Sequence, residues 1–185
     1  MRKSVCFVLA AALAAMLPLS PAHAKDQGMP QVGEQAPNFT LPSQDGTPIS
    51  LASLRGHWVI LYFYPKDMTP GCTIEAHNFQ RDLSQYQARN AVILGVSADT
   101  TSSHQQFCTQ ESLTFHLLAD PGHKVISKYG SLDGQASIAD RNTFLINPQG
   151  LIVSEWTKVS PAGHSAEVLA SLPPPQSGSQ TAAAN

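Results

Sequence analysis

The sequence predicts an α/β domain with a central mixed β-sheet flanked by helices and entered through an N-terminal β-hairpin. Three observations carry this. Two continuous apolar runs, residues 58–64 and 91–98, are rich in aromatic and β-branched residues, as strands buried on both faces are. Segments with helical spacing follow each run. Two short strand-like segments, 142–147 and 151–156, surround a Pro-Gln-Gly turn near the end, so a hairpin closes the alternation.

The elements follow in order. Residues 25–37 read as a loose lead-in. Residues 38–41 and 47–51 flank Ser-Gln-Asp-Gly and form the opening hairpin. Residues 72–88 form a helix whose inner face takes Ile74, Phe79, Leu83 and Tyr86. Ser102 or Ser103 caps a helix running to about Glu111. Residues 115–118 are a short strand, and 121–129 a short helix with Pro121 in its first turn. Residues 165–172 make a last helix. The sequence after Leu172, PPPQSGSQTAAAN, lacks a hydrophobic face, and residues 173–185 read as a disordered tail. No internal repeat is visible.

The first residues point to export. Arg2 and Lys3 precede an apolar stretch, and Ala22-His23-Ala24 supplies small residues at a cleavage position. Residues 1–24 read as a secretory signal peptide, with an uncleaved anchor as the alternative. The mature chain starts near Lys25 and is about 160 residues long, enough for one domain over 25–172. The expected compartment is the bacterial periplasm. Formal net charge is −2 with no basic cluster, which argues against nucleic acid and, after signal cleavage, against the membrane as partners.

Cys6 leaves with the signal, so Cys72 and Cys108 remain. An even count in an exported protein invites a disulfide, yet a domain of this size does not need a staple. Cys72 follows a buried strand and a Pro-Gly turn, in the first turn of a helix, where orphan N–H groups and the helix dipole favour a thiolate. Lowering any thiol from about 8.5 to about 6 takes roughly 3.4 kcal/mol. A dipole supplies about 0.3–1 kcal/mol, so a cation and direct hydrogen bonds must supply the rest. Thr69, three residues back, offers a hydroxyl where a C-x-x-C turn would have its first cysteine. It cannot trap the sulfur as a local disulfide. It can donate to a thiolate, or accept from an incoming hydroxylic substrate. That suits oxidation of a thiolate to sulfenic acid by a peroxide, followed by condensation with a second thiol. The alternative for Cys72 is a small buried hydrophobe.

Pro65-x-x-x-Thr69-x-x-Cys72 at the end of an apolar strand resembles the peroxiredoxin active-site motif. The longer run YPKDMTPGCTIEA is similar to the branch called bacterioferritin comigratory protein or peroxiredoxin Q. VGEQAPNFTLPSQDG, VILGVSAD, HLLADPGHKVISKYG and RNTFLINPQGLI match further segments in order, so the resemblance covers residues 32–156. It implies a thioredoxin-like fold and a thiol-dependent peroxidase that needs no cofactor or metal. It makes Cys72 the peroxidatic cysteine, Thr69 the active-site hydroxyl, Pro65 the shield against water and Arg141 the cation beside the thiolate. Without the resemblance, Arg141 reads as a solvated charge at a strand start.

Many members of this branch carry a resolving cysteine five residues after the first, and here that position is His77. Other relatives place it on the next helix, which makes Cys108 the resolving cysteine; a buried core thiol is the alternative. His77 points about 140° away from Cys72 on the helix and reads as part of a polar face. Glu75 either supports the arginine or suits the helix dipole. A zinc site from Cys72, His77, His104 and Cys108 has the right ligand types but no familiar spacing. The implied partners are a hydroperoxide and a thioredoxin-like or other dithiol reductant. An internal resolving cysteine makes a monomer sufficient. Two rival readings are an exported thiol–disulfide oxidoreductase acting on client disulfides, and a binding domain with a structural Cys72–Cys108 bridge.

Overall fold

In the computed structural model, residues 28–175 are described. The expected signal peptide lies outside them, as does the expected tail beyond residue 175. The opening hairpin forms as a separate two-stranded sheet, β1 (Thr40–Pro42) and β2 (Pro48–Ser50), with Thr40 opposite Ser50 and Pro42 opposite Pro48. A 3₁₀ turn at Leu51–Leu54 leads into β3 (Trp58–Phe63). Then come α1 (Pro70–Gln87), β4 (Ala91–Ser97), α2 (Thr101–Glu111), β5 (His116–Ala119), α3 (Lys124–Lys128), β6 (Thr143–Ile146), β7 (Ile152–Trp156) and α4 (His164–Ala170).

The five-stranded sheet has the order β5-β4-β3-β6-β7. β3 pairs parallel with β4, Trp58 opposite Ala91 through Phe63 opposite Val96, and β4 pairs parallel with β5. α1 and α2 supply the crossovers that parallel pairing requires. β6 runs antiparallel to β3, and β7 antiparallel to β6. The sheet is therefore mixed, as the alternation and closing hairpin predict.

Alternation along β3 divides the core in two. Val59, Leu61 and Phe63 join Phe39, Leu41, Ile126, Tyr129 and Phe144 on one face. Ile60, Tyr62 and Tyr64 join Cys72, Ala76, Phe79, Tyr86, Phe107 and Cys108 on the other. Both predicted functional cysteines thus lie under the same face, with α1 and α2.

Four sequence expectations need correction. The lead-in is not loose throughout: Gln35 bridges Leu151, the Gly33 N–H donates to the Ile152 carbonyl, and the Ala36 N–H donates to the Gly150 carbonyl. The free backbone edge beside β7 gains partners that way. Ile74 does not face inward but is 49% exposed; the buried face of α1 is Cys72, Glu75, Ala76, Phe79, Asp82 and Tyr86. The helix begins at Pro70, so polar Glu75 and Asp82 occupy inner positions that a hydrophobicity reading assigns elsewhere. The α2 cap is Thr100, whose hydroxyl accepts from the Ser103 N–H. Pro121 lies in a turn before α3, and the Asp120 carboxylate accepts the N–H groups of Lys124, Val125 and Ile126. Those three donors fix the helix start three residues after the proline.

Gly95 on β4 stands opposite Tyr62 on one side and Leu117 on the other. A Cβ there would sit 2.7 Å from Leu117 Cδ2 and from the Tyr62 ring. Tyr62 stacks on Tyr64 and Phe79 and has nowhere to move. Gly95→Ala is expected to cost about 1–3 kcal/mol through overpacking. Chemical denaturation measures this, and an unchanged midpoint would show that the Tyr62 stack yields.

Candidate active site

The site forms where β3 gives way to α1. Pro65, half-buried, follows the strand and has no N–H to donate. The segment from residue 64 to 69 is pinned to the end of β4. The Asp67 N–H donates to Asp99 Oδ2 at 2.9 Å, and Asp99 also accepts the Ser97 hydroxyl. Met68 adopts φ 57°, which turns the chain into the helix. Thr69 is the N-cap residue, and its carbonyl accepts the Thr73 N–H. Pro70, with its preset φ and missing donor, suits the first helical position. Cys72 is therefore the third residue of α1, within the turn where the dipole is positive.

Arg141 reaches this turn from the residues before β6. The Phe63 N–H donates to the Asn142 carbonyl, and the Val159 N–H donates to the Arg141 carbonyl, so the backbone on either side is fixed. Arg141 Nη2 donates to Cys72 Sγ at 3.4 Å. Nη1 donates to Glu75 Oε2 in a very short ion pair. Gly71 lets the cation in: a Cβ there would lie 3.3 Å from Arg141 Nη2. Burial pulls the Arg141 guanidinium down, but Glu75 and Cys72 outweigh it and hold the group above its ordinary range. Glu75 thus supports the arginine, the first of its two sequence readings. One of its oxygens, Oε1, is buried without a hydrogen-bond partner.

The Thr69 hydroxyl does not point its proton at the sulfur. It donates to the Lys66 carbonyl at 2.9 Å. Of the two roles open to it from sequence, only that of acceptor remains here.

Cys72 and Cys108 are both free and buried. Burial pushes the Cys108 thiol up to about 11, and the Asp67 charge adds to this. His77 lies on the exposed side of α1 and pairs with Glu111 of α2 at 2.7 Å, as its polar-face reading predicts. His104 is buried against Asp67. Those two histidines are thereby drawn to different partners. Among the described residues no group of three or more His, Cys, Asp or Glu could hold a metal ion, and no helix is long and apolar enough to cross a membrane. Sequence reasoning missed Asp67 and Tyr64, whose hydroxyl donates to Asp67 Oδ1 at 2.7 Å. The spacing Tyr64-x-x-Asp67 across a turn was the available signal.

The buried Glu75 carboxyl gives a pH test. Burial pushes it up to about 7 from 4.5, with the charge and hydrogen bond of Arg141 pulling the other way. A carboxyl raised in this way binds its proton more tightly folded than unfolded. Its contribution to stability is full below about 4.5 and is lost as pH rises toward about 7. Denaturant midpoints should therefore fall more steeply across that window in the wild type than in Glu75→Gln. Parallel pH profiles in the two proteins would remove Glu75 from this account.

Known proteins carry the same arrangement. The AhpC/TSA family matches residues 32–155. A Coxiella burnetii protein that bears the name peroxiredoxin bcp is 43% identical over 148 residues, which is 77% of this chain and 98% of that protein. A mutant of Xylella fastidiosa PrxQ superposes with TM-score 0.73 at 34% identity, covering 76% of this chain and 94% of the other. The bacterioferritin comigratory protein of Xanthomonas campestris, which has alkyl peroxide reduction activity, superposes with TM-score 0.69 at 35% identity over 72% of this chain and 88% of its own. These solved structures share the thioredoxin-like arrangement of sheet and helices seen here. The chain belongs to the AhpC/TSA family and is a peroxiredoxin, a thiol-dependent peroxidase, of the kind named Bcp or peroxiredoxin Q.

Proposed function

We propose that the chain reduces hydrogen peroxide and organic hydroperoxides through Cys72, with Cys108 as the resolving thiol and an external dithiol as reductant. The observation that carries this is the Arg141 guanidinium held between Cys72 Sγ and Glu75 at the start of α1. The Cys72 thiolate attacks the distal oxygen of the peroxide. The S–O bond forms as the O–O bond breaks, and the alkoxide or hydroxide that leaves takes up a proton. Arg141 and the N–H groups of the first turn stabilise charge along the breaking bond. Thr69, its own proton committed to Lys66, accepts the peroxide O–H and aims it. Pro65 limits the entry of water beside the sulfur.

Cys108 then attacks the sulfenic acid, giving a Cys72–Cys108 disulfide and water. A disulfide needs the two Cα atoms within about 7 Å. Both thiols are packed into the helix-covered core, so the first turn of α1 opens locally to admit the reaction. A thioredoxin-like or other dithiol partner then reduces the bridge. The Arg2–Lys3 start, the apolar stretch and Ala22-His23-Ala24 support export, so that partner faces the periplasm. One subunit holds both cysteines, and a monomer suffices. The rival reading, exchange with client disulfides, is not favoured: Thr69 stands where that chemistry needs a second cysteine.

Cys108→Ser should keep the first oxidation and stop turnover with a thioredoxin-type reductant. Steady-state assays check this, and undiminished turnover would refute the assignment. Arg141→Ala should slow sulfenic acid formation by about 10²-fold, as loss of one charge-stabilising donor does. Stopped-flow mixing with peroxide measures the rate, and a loss under threefold would count against the guanidinium's role.

A further inference from the structure

The chemistry above leaves one buried histidine unused. His104 lies on α2, one turn before Cys108, and is fully buried. Its Nδ1 is 2.9 Å from Asp67 Oδ2 and 3.3 Å from the Tyr64 hydroxyl. Asp67 also accepts the hydroxyl protons of Tyr64 and Ser103, each at 2.7 Å. Burial pushes the Asp67 carboxyl up, but His104, Tyr64 and Ser103 outweigh it and hold it below the usual carboxylate range. The carboxylate is thus an acceptor, and the Tyr64 proton is directed to its other oxygen. That assigns a proton to His104 Nδ1 and leaves a lone pair on Nε2 in the neutral ring. Nε2 is buried and has no hydrogen-bond partner. An orphaned buried acceptor calls for an explanation.

Residues i and i+4 share a helix face, and helical side chains lean toward the N-terminus. The Cys108 thiol therefore leans over the turn that carries His104. That thiol is pushed up to about 11 by burial, with Asp67 adding to it. At neutral pH only roughly one such thiol in ten thousand is ionised, yet the thiolate is the nucleophile. Resolution needs a base at this point of the structure.

We propose that His104 is the general base of the resolving step, and that Asp67 positions it. The inference rests on the reading of Cys72 and Cys108 given above. Nε2 takes the Cys108 proton, and the Asp67 carboxylate stabilises the imidazolium. The thiolate electron pair forms the S–S bond as the S–O bond of the Cys72 sulfenic acid breaks. The departing hydroxide takes the proton from Nε2 and leaves as water. Asp67 belongs to the loop that carries Thr69 and Cys72, so the base is tied to the electrophile's loop as well as to the nucleophile's helix. The ionisable groups around His104 are Asp67, Tyr64 and Cys108, with Asp99 behind Asp67.

Mixing with one equivalent of hydrogen peroxide, acid quench and mass spectrometry separate sulfenic acid from disulfide in time. In His104→Gln the sulfenic acid should form within about threefold of the wild-type rate, while disulfide formation falls about 10²-fold at pH 7. Asp67→Asn should lose less at the same step. Disulfide formation within threefold of wild type in His104→Gln overturns the proposal. So does an equal loss in both steps, which is what a merely structural role gives. Should the variants fail to fold, the wild-type profile decides. A resolving rate that levels off near neutral pH supports a base, and one that climbs on toward about 11 overturns it. A wild-type protein that forms no Cys72–Cys108 bridge overturns both readings, and the fault then lies in the role of Cys108.

Discussion

The sharing of one guanidinium between a sulfur and a buried carboxylate is the constraint around which this site is built. Arg141 meets Cys72 and Glu75 on consecutive turns of α1, where the dipole already favours negative charge. A dipole contributes about 0.3–1 kcal/mol, whereas a hydrogen bond involving a charged group contributes about 1.5–3 kcal/mol. The guanidinium is thus the larger influence on the sulfur. Its placement depends on features that look unrelated in sequence. Gly71 leaves the space, Pro70 starts the helix at the right residue, and the Phe63–Asn142 hydrogen bond holds Arg141 at the mouth of the sheet. Glu75 is a tether with a cost: a carboxyl forced toward about 7 by burial is a weak stabiliser at neutral pH, and it survives because its pairing aims the arginine.

The fold places this constraint at the C-terminal ends of the parallel strands β3 and β4, where α/β sheets gather their reactive groups. The two faces of the sheet then do different things. One is a plain apolar core closed by Phe39, Tyr129 and Phe144. The other mixes the aromatic stack of Tyr62, Tyr64 and Phe79 with both cysteines and with His104 and Asp67. Polar groups buried on that face are few and nearly all paired, which holds the loop from Tyr64 to Thr69 against α2. The reactive turn is therefore rigid at its base, through Asp67 and Asp99, and is free to open only at its tip.

Much of this was legible in the sequence, and what was not has a common cause. The strands at Trp58–Phe63 and Ala91–Ser97 announce themselves because burial on both faces demands unbroken apolar runs. Cys72 and Thr69 are visible because their roles depend on neighbours in the chain. Arg141 lies 69 residues from Cys72, and only the resemblance to peroxiredoxins picked it out. The Asp67–His104 pair spans 37 residues and carries no local pattern. Ile74 misled for the opposite reason: its spacing fits an inner face that Glu75 occupies instead, because the interior here needs a charge for Arg141. Charged residues turned inward are invisible to a reading based on hydrophobic periodicity.

Thr69 shows how far a single hydrogen-bond direction reaches. A second cysteine at that position would compete for the Cys72 sulfur and close a local disulfide before any peroxide arrived. A hydroxyl that donated to the sulfur would stabilise the thiolate but would have no lone pair aimed at substrate. Instead the proton goes to the Lys66 carbonyl, within the same turn. That leaves the oxygen as an acceptor beside a sulfur already supplied with a cation. The division of labour follows: Arg141 holds charge, and Thr69 orients the O–H of what comes in. The turn that sets Lys66 beneath Thr69 is the one that Asp67 fastens to Asp99 and His104. The group that ties α2 to the loop is therefore the group that sets which way the threonine proton points.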